Sequence, residues 1–169
     1  MLILKIIIYS FIFLLSSLIG VLISKKYNNR VNELKEFKNA LNLFKTKIRY
    51  TYEPIPDIFY EISENVKSNI SNVFIHAASK MDVVSAGDAW QIALKMEDLN
   101  IDDEDIMVLN GLSKLLGKTD LQGQLNQIEM TEDFLDKQIR KAESLKNKNE
   151  KLYRTLGMIL GLTIVIILM

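Results

Sequence analysis

Apolar residues fall into three regimes along this chain. Ile6 to Ile23 is an uncharged, mostly apolar run of 18 residues, and Leu156 to Met169 is a second run without a charged side chain. Between them the apolar positions recur every three or four residues, the period of a helix with one buried face. Tyr27, Val31, Leu34, Phe37, Leu41, Phe44, Ile48 and Tyr52 form one such seam. It predicts a helix that leaves the first apolar run and continues to Tyr52. Glu53-Pro54-Ile55-Pro56 ends it, because each proline lacks an N–H and restricts the residue before it.

Shorter helices are expected next. Asp57 to Val66 reads as one, with Ile58, Phe59 and Ile62 buried and Pro56 suited to its first turn. Ser68 or Asn69 is placed to cap another, whose apolar face is Ile70, Val73, Phe74, Ala77, Ala78 and Met81. Ser85-Ala86-Gly87-Asp88 is a break and cap before a helix from Ala89 to Met96 that carries Trp90 and Leu94. Asp102, Asp103, Glu104 and Asp105 crowd one helix start, and Ile106, Leu109, Leu112, Leu115 and Leu116 form its buried stripe up to Gly117. Asp120 opens the last helix, with Leu121, Leu125, Ile128, Leu135, Ile139, Ala142, Leu145, Leu152 and Leu156 at helical spacing. The fold class predicted is all-α: a bundle of about six helices, residues 24–155, carried on transmembrane helices at 1–23 and 156–169.

Both terminal runs are short for a span, since crossing ~30 Å of hydrocarbon takes about 20 residues. Counted from Leu152, the second reaches ~27 Å if Lys151 and Arg154 snorkel back to the headgroups. A signal peptide is the rival reading of the first run, as Lys5 precedes it. Against that, Leu22 stands where a cleavage site before Ser24 wants a small residue. Ser16, Gly20 and Ser24 share one helical stripe, and Gly157 and Gly161 share another. Small residues let two helix backbones approach closely, so these stripes are candidates for packing the spans together. The plainer reading is that membrane helices tolerate Ser and Gly.

Charge sets the orientation. Mean hydropathy is +0.10 although a quarter of the residues are charged, which requires segregation. Apart from Lys5, all the charged residues, 20 basic and 21 acidic, lie between Ser24 and Thr155. Lys25, Lys26 and Arg30 follow the first run, and Lys146, Lys148, Lys151 and Arg154 precede the second. The positive-inside rule then puts the middle in the cytoplasm and both termini on the far side. A balanced middle region gives no reason to expect a nucleic acid partner.

Candidate chemistry is sparse. With no cysteine there is no disulfide framework, thiolate metal site or thiol nucleophile. Asp98, Asn100 and Asp102 imitate the start of a calcium loop, but Asp103 stands where glycine is needed and Leu109 where a bidentate glutamate is needed. His76 is the one histidine, without a second ligand at helical spacing. Gly117-Lys118-Thr119 echoes the end of a phosphate loop without its first glycine. No enzyme and no cofactor are expected. Asp102, Asp103, Glu104 and Asp105 carry two readings: carboxylates favoured at a helix N-terminus, or a patch that docks a basic partner.

Taken together, the chain resembles the stage III sporulation protein AB family of endospore-forming bacteria. The resemblance is carried by Asn149-Glu150-Lys151 leading into Leu156-Gly157 and ending Ile166-Ile167-Leu168-Met169. Further upstream it is carried by Ile48-Arg49-Tyr50 before Pro54, by Ala89-Trp90, and by Leu115-Leu116-Gly117 with Asp120 and Gln124. The resemblance implies a non-enzymatic component of a mother-cell complex, set in the membrane around the engulfed forespore, that joins a forespore partner to form a channel. It implies as partners other stage III sporulation membrane proteins and a companion cytoplasmic ATPase. The family is similar to the type II secretion F platform, which leaves room for self-association. A membrane-tethered coiled-coil scaffold that never touches an ATPase is the alternative. A pore made by this chain alone is disfavoured by spans without charged lining residues.

Overall fold

The computed structural model describes residues 2–51 and 53–168. Among the described residues there are six α-helices, one 3-10 turn and no strand. The helices are α1 (Leu2–Tyr50), α2 (Ile55–Asn65), α3 (Ser68–Lys80), α4 (Ala86–Met96), α5 (Asp103–Asn110) and α6 (Leu121–Leu168), with the 3-10 turn at Gly111–Lys114 between the last two. The chain divides into two compact units, Asn32–Arg140 and a second made of Met1–Val31 with Lys141–Met169.

The Asn32–Arg140 unit is built on an aromatic centre. Phe59 of α2 meets Phe44 of α1, Phe74 of α3 and Trp90 of α4 edge-on, with ring centroids 5.1, 5.0 and 5.8 Å apart. Such pairs prefer tilted geometry because ring edges are positive and ring faces negative. All four rings are fully buried, as is Phe37, whose ring lies 6.4 Å from Trp90. The indole of Trp90 donates to the Leu109 carbonyl at 2.9 Å, which ties α4 to the end of α5 and satisfies the buried indole N–H. Leu34, Leu41, Ile58, Ile62, Val73 and Ile128 fill the surrounding core. On its flank Lys38 reaches Asp136 at 2.6 Å and Lys45 reaches Glu132 at 2.5 Å, joining α1 to α6.

Local chemistry shifts several boundaries. α2 begins at Ile55, two residues before the expected Asp57, with Pro56 inside its first turn as expected. α4 begins at Ala86, and Ser85 caps it by accepting from the Asp88 N–H at 3.2 Å. α3 corrects the expected cap: its N-cap position is Lys67, with no side-chain bond, and Asn69 instead donates to the Asp98 carbonyl at 2.9 Å. The helix expected from Asp102 to Gly117 is also corrected. It tightens into the 3-10 turn at Gly111, and Leu115 is exposed rather than buried. Gly117 takes φ +69°, a left-handed conformation that glycine adopts without steric cost. Asp120 caps α6 by accepting from the Gly123 N–H at 2.8 Å. Tyr52, the expected last member of the α1 seam, lies outside the described residues.

In the other unit the first part of α1 and the last part of α6 lie side by side and antiparallel. Phe13 faces Gly161, Ser16 faces Gly157, and Gly20 faces Tyr153. Ile7, Phe11, Leu14, Leu18, Leu160, Ile166 and Ile167 are all exposed around this pair. That inverts the usual order of a protein in water, where contiguous apolar patches stay small. Among the described residues one helix is long and apolar enough to cross a membrane, the Ile7–Tyr50 part of α1.

Candidate functional site

Two sets of residues stood out in the sequence, and each is confined to one unit. The first is the acidic start of α5. Asp102 is its N-cap, with φ −97° and ψ 175°, and its carboxylate accepts from the Asp105 N–H at 3.2 Å. The Asp105 carboxylate returns the bond, accepting from the Asp102 N–H at 3.0 Å. This reciprocal capping box satisfies two helix-end donors at once, here with aspartate at the third helical position in place of the commoner glutamate.

Asp105 is fully buried, so the four acids do not form one face. Asp103 and Glu104 are exposed and Asp102 is half-buried. The segment leading into them is also tied down. Glu33 of α1 accepts from both the backbone N–H and the side-chain amide of Asn100, each at 2.6 Å. Glu97 lies 3.2 Å from His76 Nε2 and accepts from Asn72 at 3.3 Å. Glu97, Asp102 and Asp105, together with Glu33 from α1, are thus engaged in holding the α4–α5 connection.

The second set is the small-residue crossing of α1 and α6. The Ser16 hydroxyl donates to the Gly157 carbonyl at 2.8 Å. A Cβ on Gly20 would sit 2.6 Å from the Tyr153 carbonyl oxygen, and one on Gly157 would sit 2.9 Å from the Ser16 carbonyl oxygen. Any side chain at either position forces the helices apart. A Cβ on Gly161 would meet Phe13 and Ser16 at 3.0 and 3.2 Å. Ser24, the fifth residue named, differs from the other four. Its hydroxyl donates to Val21 of its own helix at 3.0 Å.

Tyr27, the first member of the expected α1 seam, and Tyr153, which the spacing did not single out, also belong here. Tyr27 and Tyr153 stack with centroids 5.9 Å apart and planes at 16°. The hydrogen bond between the two phenols, together with burial, holds Tyr27 above its ordinary pKa of 10.0. Tyr27 lies seven residues after Gly20 and Tyr153 four before Gly157, so the same helical stripes reach them. Below the pair, a groove of about 330 Å³ runs along the crossing between Ile19 and Ile23 on α1 and Leu156, Leu160 and Ile164 on α6. Among the described residues no group of three or more His, Asp or Glu is placed to hold a metal ion.

Residues 5–169 match the model of the stage III sporulation protein AB family. The chain belongs to that family. It is 26% identical over 163 residues to Stage III sporulation protein AB of Bacillus subtilis (strain 168), covering 94% of this chain and 95% of that relative. Its fold resembles a solved structure of Stage III sporulation protein AB (SpoIIIAB), with a TM-score of 0.67 and 22% identity over 71% of this chain and 98% of that one. Family membership implies a role in sporulation and association with other sporulation proteins. No enzymatic name occurs among these relatives.

Proposed function

We propose that this chain is a non-enzymatic membrane platform of the mother-cell-to-forespore channel complex, and that its helical unit docks a cytoplasmic secretion-type ATPase. The observation that carries the reading is the antiparallel crossing of two apolar helix ends, closed by Gly20 and Gly157 and apolar on its outer surface. Such a pair is stable where hydrocarbon replaces water around it. In this reading Ile6–Ile23 and Leu152–Met169 are both anchors, in the membrane around the forespore. The basic residues flanking them hold residues 24–155 in the cytoplasm.

A platform for a motor needs a rigid body on the motor's side. The buried aromatic centre of the Asn32–Arg140 unit supplies one. Of the acidic patch, Asp103 and Glu104 are the residues accessible to a basic partner, while Asp102 and Asp105 position them. The alternative, a scaffold that organises neighbouring membrane proteins without touching an ATPase, shares every structural feature and differs in that one contact.

The test is binding of the full chain, held in lipid nanodiscs, to the companion ATPase, with hydrolysis followed alongside. Saturable binding that changes the hydrolysis rate, weakened by Asp103→Lys with Glu104→Lys, is the expected result. No binding by the intact, membrane-held chain would leave the scaffold reading in its place. Unchanged binding by the folded double variant would move the contact elsewhere on the bundle.

A further inference from the structure

The groove beside the glycine crossing has a chemical asymmetry from one end to the other. Its walls are apolar, and Ser16, Ile19, Gly20 and Ile23 form the α1 side. Continuing that stripe by three or four residues brings Lys26 and Tyr27, then Arg30. Tyr153 closes the same end from α6, stacked on Tyr27. Around this end the segments 24–31 and 144–155 carry seven basic residues and one carboxylate, Glu150, which pairs with Arg154 at 3.7 Å. Lys25, Lys26, Lys148 and Lys151 are exposed.

An apolar slot that ends in phenols and cations fits one ligand class: a phospholipid with an anionic headgroup. We infer that the crossing of α1 and α6 binds a single anionic phospholipid, with an acyl chain in the Ile19–Leu160 groove and the phosphate at the Lys26, Tyr27 and Tyr153 end. The groove's volume of about 330 Å³ is at the small end of ligand pockets, suited to a length of acyl chain. A third helix fits less well. Close approach of a helix backbone needs small residues, and here Ser16, Gly20 and Gly157 are already spent on each other. What remains on the walls is Ile19, Ile23, Leu156, Leu160 and Ile164, an irregular surface that a flexible chain follows readily. A Lys or Arg near a membrane surface contributes enough to anionic lipid binding to change it about fivefold.

This inference rests on the membrane reading above. The experiment uses the full chain in mild detergent, given equal amounts of phosphatidylglycerol and phosphatidylcholine with the same acyl chains. Native mass spectrometry then reads the retained lipid. One phosphatidylglycerol per chain is expected, favoured over phosphatidylcholine by about fivefold or more, with Lys26→Gln lowering that preference by about fivefold. Ile19→Trp, which fills the groove, should lose both lipids. If Ile19→Trp does not fold, the Lys26→Gln comparison decides alone. Equal retention of the two lipids, a preference unchanged by Lys26→Gln, or a lipid-free dimer would overturn the site. Flotation of the chain with phosphatidylcholine vesicles separates the two failures. A chain that inserts without lipid preference removes only the lipid site, whereas a chain that never floats removes the membrane reading as well.

Discussion

Ser16 and Gly161 give the most direct handle on how the terminal helices meet. A Cβ on Gly161 would lie 3.2 Å from that of Ser16, near the 3.5–4.5 Å typical of a disulfide. The chain has no native cysteine, so Ser16→Cys with Gly161→Cys should oxidise to an internal disulfide, seen as a gel shift that a reductant reverses. Adding Gly157→Leu, which drives a side chain into the Ser16 carbonyl, should abolish that disulfide. Trp90 is the matching residue in the other unit. Trp90→Ala should cost about 3–5 kcal/mol, because it empties the aromatic centre and removes the indole bond to the Leu109 carbonyl. Denaturant unfolding measures it, and for a domain of ordinary stability the loss removes a large share of the total. Tyr27 supplies a pH signature. Its raised pKa means the folded state prefers the neutral phenol, so that stabilisation is complete below pH 10 and is lost as pH rises through the raised value. In an ultraviolet titration, Tyr153→Phe should bring Tyr27 back toward 10.0, the value from which the Tyr153 hydrogen bond chiefly raises it.

Among the elements, α5 shows where sequence pattern and chemistry diverge. Its four acids read first as helix-end carboxylates and second as a docking patch, and the capping box uses two of them for the first purpose. Asp102→Ala should therefore destabilise the unit by about 1 kcal/mol, while Asp103→Ala should change stability by less than about 0.5 kcal/mol. Thermal unfolding of the two variants side by side checks the difference. The seams of α1, α2, α3 and α4 were legible because a one-sided apolar period has a single physical explanation. Val31, Leu34, Phe37, Leu41 and Phe44 are all buried as that period requires. The turn after α5 was not legible. Leu112, Leu115 and Leu116 continue a helical spacing, but Gly87 of α4 presses against the Ser113 carbonyl so closely that a Cβ there would lie 2.2 Å away. That approach is long-range, and no local pattern announces it. The missing side-chain cap of α3 has a similar origin, because Asn69 is drawn instead to the Asp98 carbonyl, 29 residues away in sequence.

For the molecule as a whole, the all-α class and the amino-terminal apolar helix could be read from the chain, because apolar and charged residues are segregated along it. The stacking of Tyr27 on Tyr153 could not, because it pairs residues 126 positions apart through the register of two helices. The central claim is that both terminal helix ends lie in one bilayer with residues 24–155 on its cytoplasmic side. Single cysteines at Ser79 and at Met169, probed in intact and opened membranes with a maleimide that cannot cross the bilayer, test it most directly. The account predicts that Ser79→Cys reacts only from the cytoplasmic face and Met169→Cys only from the opposite face. Reaction of both from the same face would contradict it, since the carboxy-terminal segment would then not cross.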